Sequence, residues 1–191
     1  MDENSIAEFT SLRQEILEKD NHYHEYKKYS CTVTTAILAF ALTQNEPFMC
    51  LIPLAIIIPL YLSSQESMKS ILKIGAYLYV FYDEKGFRWE KRNNDMASDA
   101  RKKISKTKTC FENSLPHISL VVICCLLCLY KILFANQYSK CEMRVRVIIV
   151  IALLVISIII ILRQYVYVFE TRERFISFWK SVKMDEISKE E

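Results

Sequence analysis

A chain of 191 residues with 25 Lys and Arg against 22 Asp and Glu has a formal net charge of +3, too mild for the concentrated basic face of a nucleic-acid binder. Two glycines (Gly75 and Gly86) and four prolines leave few places to turn, which excludes a hairpin-rich β fold and points to an all-α chain. Hydrophobic residues make up 52% of the chain, close to a soluble average, so their distribution has to decide the class. Charges are nearly absent from four windows and crowded between them. That is the pattern of a polytopic membrane protein.

Residues 1–28 are polar and carry more acid than base, unlike a secretory signal peptide. They read as a cytoplasmic amphipathic helix. Ser5 with Glu8 three residues later forms a capping box, and Ile6, Phe9, Leu12, Ile16 and Leu17 recur at helical spacing.

The first apolar window covers residues 29–43 and the second 47–62, separated by Gln44, Asn45 and Glu46. The third covers 118–135, and the fourth, 145–169, contains VIIVIALLVISIIIIL without a charge. A helix needs ~20 residues to cross the hydrocarbon. The last two windows meet that length, whereas the first two reach only ~24 Å each. The short pair is a helical hairpin or a re-entrant loop, and its compact polar turn favours the hairpin. Pro47 suits a first helical turn, while Pro53 and Pro59 predict kinks in the second pass. The expected architecture is four transmembrane helices in two hairpins, spanning residues 29–62 and 116–169, joined by a cytoplasmic helical loop at 63–115.

Lys and Arg set the orientation. Four precede the first pass, eleven lie between residues 63 and 112, and six follow from Arg163 onward, against none in the first short turn and four around the second. Both termini and the central loop are therefore expected in the cytoplasm. Within that loop, residues 71–82 (ILKIGAYLYVFY) are apolar but too short to span, and Asp83 to Gly86 reads as a turn. Arg101, Lys102 and Lys103 lie close to the third pass, as a lipid or partner contact or simply as the positive-inside determinant. The tail, 170–191, sets Phe175, Phe178, Trp179 and Val182 among cations. Phe175 and Trp179 are candidate interface or partner contacts, the alternative being a packed extension of the fourth helix.

The run KIGAYLYVFYDEKGFRWEKR, following the hairpin end LIPLAIIIPLYL, resembles a group of uncharacterised bacterial multi-pass membrane proteins. It also resembles the four-pass accessory proteins found beside CRISPR and other phage-defence genes. The resemblance lies in the layout and in Tyr77, Phe81, Trp89 and Glu90. It implies an inner-membrane location and a role in defence, and assigns no functional residue.

No enzyme chemistry is expected. Cys125 and Cys128 form a CxxC beside Cys124, but the motif falls inside the third window, where cysteine acts as a small apolar residue. His22 and His24 point apart on a helix, and His117 marks the entry to the third pass. Phosphate-loop, nucleophile-elbow and zinc-protease motifs are missing from the sequence. Neither a cofactor nor a metal is expected. Lys131, inside a window but near its end, can snorkel.

Association remains. Cys31, Thr35, Ala39 and Thr43 fall at i, i+4, i+8 and i+12, a stripe of small residues that lets membrane helices approach closely. Such a stripe faces another copy or the chain's own helices. Facing another copy, Thr32, Thr35 and Thr43 would line a polar path beside Ala39. The expected function is an oligomeric inner-membrane protein that perturbs or gates the bilayer. The alternative is a non-conducting anchor that recruits a soluble cytoplasmic partner. Expected partners are lipid, further copies of the chain and a soluble protein, with no direct nucleic acid.

Overall fold

The computed structural model describes residues 3–82, 106–134 and 139–190. They form α1 (Glu3–Thr43), a 3-10 turn (Pro47–Leu51), α2 (Leu54–Tyr82), α3 (Lys106–Phe134) and α4 (Lys140–Glu190), with no strand among the described residues. The all-α expectation holds.

The helices are longer than the windows that announced them, because little interrupts them. Neither α1 nor α4 contains Gly or Pro, so each polar flank continues the helix of its apolar run. Ser5 consequently lies inside α1 and does not cap it. The true capping box belongs to α4, where the Glu142 N–H donates to Ser139 Oγ (3.3 Å) while Glu142 Oε2 accepts from the Ser139 N–H (3.1 Å) and hydroxyl (3.0 Å).

The break after α1 sits at Pro47. Glu46 before it is extended (φ −83°, ψ 115°), as the steric demand of a following proline requires. Pro53 does not kink the second helix but starts it, its carbonyl accepting from the N–H groups of Ile56 (2.9 Å) and Ile57 (2.8 Å). Pro59 and Pro116 lie inside α2 and α3.

Among the described residues three stretches are long and apolar enough to cross a membrane: Pro47–Tyr82, Ser114–Phe134 and Lys140–Lys189. The apolar end of α1 is not among them. Between Lys28 and Gln44 it extends only ~22 Å, short of the ~30 Å hydrocarbon. In α4 only 17% of the most apolar window is buried, leaving side chains such as Ile148, Ile156 and Ile159 outward. Apolar exposure on this scale fits a lipid environment and not water.

The chain divides into two compact units. One contains residues 24–64 and 111–165. Its core brings Leu38 and Ala41 of α1, Leu54 and Ile57 of α2, Val121 of α3 and Val150 of α4 together. Cys124, Cys125 and Cys128 pack there as small apolar side chains, and Cys50 joins them.

The other unit contains residues 1–23, 65–110 and 166–191. Ile74, Leu78 and Tyr82 of α2 form its core against Phe9, Leu12 and Ile16 of α1. Ile6 and Leu17, expected on the same stripe, are exposed. Trp179 of α4 closes the cluster, edge-on to Tyr77 (5.1 Å) and Phe81 (6.3 Å).

Candidate functional site

The expected stripe on α1 faces outward. Thr32, Thr35, Ala39 and Thr43 are exposed, while Ser30, Thr34, Leu38 and Ala41 turn inward to the unit of residues 24–64 and 111–165. The stripe therefore lies on the exposed face of α1. Two of its hydroxyls are spent on their own helix, Thr35 donating to the Cys31 carbonyl (2.9 Å) and Thr43 to that of Phe40 (2.7 Å). A Thr bonded in this way tolerates hydrocarbon or a second helix, since no donor is left unmet.

The same unit buries a polar layer that sequence reasoning missed. Tyr61 of α2 is fully buried, and its hydroxyl donates to the Ile161 carbonyl of α4 at 2.9 Å. With that hydrogen committed, Ser114 of α3 is the donor in the 3.3 Å contact between its hydroxyl and Tyr61 Oη. Ser64 donates to the Tyr61 carbonyl (2.7 Å), one turn back on its own helix. His117, which the sequence placed at an interface, is 1% exposed and meets the Tyr61 ring edge-on at 4.9 Å. Neither ring nitrogen has a hydrogen-bond partner, nor do the buried hydroxyls of Ser30 and Thr34. Each such group costs about 1–3 kcal/mol if left dry. The legible signal was the pairing of polar residues (Tyr61 with Ser64, Ser114 with His117) at the margins of two apolar windows.

At the opposite end of this unit Lys131 reaches the end of α1. Its ammonium donates to the carbonyls of Ala41 (2.7 Å), Leu42 (3.2 Å) and Gln44 (2.6 Å), collecting acceptors that the end of α1 leaves unpaired. Arg146 pairs with Glu46 at 3.3 Å and lies over the Phe48 ring at 5.2 Å.

The unit of residues 1–23, 65–110 and 166–191 holds a cleft of about 340 Å³, near the lower size of small-molecule sites. Glu8 and Glu15 of α1, Ser70 and Lys73 of α2, and the Tyr77–Trp179 pair line it. The Glu8 carboxylate is held by the hydroxyls of Tyr77 (2.6 Å) and Tyr82 (2.7 Å), charge-assisted bonds that fix its position. A double-mutant cycle between Glu8→Gln and Tyr77→Phe should return a coupling of about 1 kcal/mol by thermal unfolding, modest because Glu8 is exposed.

Trp179, a candidate contact from the sequence, thus packs on α2, and Phe175 is half-buried. Arg101, Lys102 and Lys103 lie outside the described residues, as do Trp89 and Glu90. His22 is engaged by Glu18 one turn away (3.7 Å), and His24 is exposed. Among the described residues no group of three or more His, Cys, Asp or Glu could hold a metal. Compared with protein-family models, curated proteins and solved structures, the chain matches none.

Proposed function

We propose that the chain is a bacterial inner-membrane protein that crosses the bilayer four times, keeps both termini and the central segment in the cytoplasm, and self-associates to perturb or gate the membrane. The observation that carries this reading is the outward stripe of Thr32, Thr35, Ala39 and Thr43 on α1. Its small side chains permit close helix approach, and α1 alone has an apolar run too short to be comfortable in lipid. An oligomer would cover that mismatch. The resemblance to proteins of phage-defence loci extends the proposal to a defence effector or accessory.

Ala39→Leu places a branched side chain on the contact and should reduce the oligomer mass measured by light scattering in detergent. Thr32→Val, Thr35→Val and Thr43→Val together keep the shape but remove the hydroxyls that hold water, so dye-reported membrane leak should fall while assembly persists. An unchanged mass for Ala39→Leu sinks the association.

The second reading is a non-conducting anchor that recruits a soluble partner. The cleft with its fixed Glu8 carboxylate favours it. On that reading the Thr→Val set is silent, and Glu8→Gln or charge reversal at Arg101, Lys102 and Lys103 abolishes recruitment.

A further inference from the structure

The buried polar layer offers more hydrogen bonds than its side chains use. Ser30 is 0% exposed, and Thr34 and His117 are 1% exposed. Four of their polar atoms lack partners: Ser30 Oγ, Thr34 Oγ1, and His117 Nδ1 and Nε2. A neutral imidazole needs a donor at one nitrogen and an acceptor at the other. Tyr61 rests edge-on against the ring with its hydroxyl turned to Ile161, so it supplies neither.

The helix register brings these groups together. Lys131 of α3 reaches Ala41 of α1 at one end, and α2, returning from that end, sets Tyr61 against His117 fourteen residues earlier on α3, the level of Lys27 on α1. Matching spacing means that α1 and α3 run side by side in the same direction. Ser30 then lies ~5 Å and Thr34 ~10 Å along the axis from the level of His117. The first gap suits one bridging molecule that both donates and accepts, and Thr34, one turn beyond Ser30, is within reach of a second. No carboxylate stands among the three residues, so the set suits a neutral ligand and not a cation. Beyond Thr34 the inward side chains turn apolar, with Leu38 and Ala41 on α1, Cys50 in the 3-10 turn, Leu54 on α2, and Cys128 on α3. Such a layer is dry, since it gives water nothing to bond.

We propose that Ser30, Thr34 and His117 form a buried hydration site, in which about two ordered waters bridge the imidazole to the two hydroxyls and the Leu38–Leu54–Cys128 layer stops the water short of the Lys131 end. The site belongs to one protomer, so it exists whether or not the protein self-associates. For the gating reading it supplies a wetted compartment ending on an apolar seal, the arrangement by which hydrophobic constrictions close.

Solid-state NMR of the full chain in lipid bilayers tests this, with ¹⁵N-histidine labelling and polarisation transfer from water protons. His22→Gln and His24→Gln assign the His117 signals. Rapid transfer to the His117 ring nitrogens, with none to the Leu38 and Leu54 methyls, is expected. A His117 ring that receives no transfer overturns the proposal, and transfer that reaches Leu38 and Leu54 equally overturns the seal. Thermal unfolding gives a second readout of opposite sign for the two cases. With bridging water, Ser30→Ala and Thr34→Val each lose a bond and Tm falls by about 2–4 °C. In a dry layer each removes an unmet polar group and Tm rises, which rejects hydration. Leak measured on the same samples separates the ideas: a dry His117 with intact leak leaves the gating reading standing, and a wet His117 without leak removes gating alone.

Discussion

Tyr61→Ala should destabilise the protein by about 3–5 kcal/mol, the range for emptying a large aromatic from a closed core. Tyr61 is fully buried among the helices of the unit formed by residues 24–64 and 111–165. Its loss removes the ring that packs on His117 and the hydroxyl that links α2 to Ser114 of α3 and to Ile161 of α4. Tyr61→Phe isolates the second effect. It keeps the ring and deletes only the hydroxyl, so it should cost about 1–2 kcal/mol, with the Ser114 hydroxyl losing its acceptor. Thermal unfolding of both variants in the same detergent checks the pair. If Tyr61→Phe costs as much as Tyr61→Ala, the hydroxyl network dominates over packing. If Tyr61→Phe is silent, the link between helices carries no stability.

Lys131→Met should cost about 2–4 kcal/mol, although methionine is the better residue for hydrocarbon on any transfer scale. The cost arises because three carbonyls at the end of α1 and in the turn after it accept from one ammonium. Hydrogen bonds to charged groups contribute about 1.5–3 kcal/mol each but share one donor here, so they do not sum. Lys131→Arg, which keeps the charge and several donors, should recover part of the loss. A more stable Lys131→Met protein would mean that the desolvated ammonium costs more than its bonds return, and the cap would then be a liability.

The all-α class was readable because two glycines and four prolines give the chain almost nowhere to leave a helix. The apolar runs of α2, α3 and α4 were readable for a related reason. Runs of sixteen to nineteen residues without a charge leave a helix in lipid as the economical state for the backbone. Helix ends were harder. Ser5–Glu8 and Ser139–Glu142 present the same capping pattern, and only the second starts a helix. A local motif states that a cap is possible, and the flanking chain decides whether it is needed.

Composition and uncharged apolar runs determined, from the sequence alone, that the chain is helical and largely lipid-compatible, because both properties are sums over neighbouring residues. Which face of each helix turns inward was a tertiary decision. Thr34 and Thr35 are adjacent and chemically identical, yet one is buried and the other is exposed on the outward stripe. Likewise Lys131 looked like a side chain escaping to water, until the end of α1 placed three carbonyls in its reach. Such outcomes depend on contacts between residues as far apart as Tyr61 and Ile161. No window along the chain contains both partners, and only the packed helices bring them to the same level.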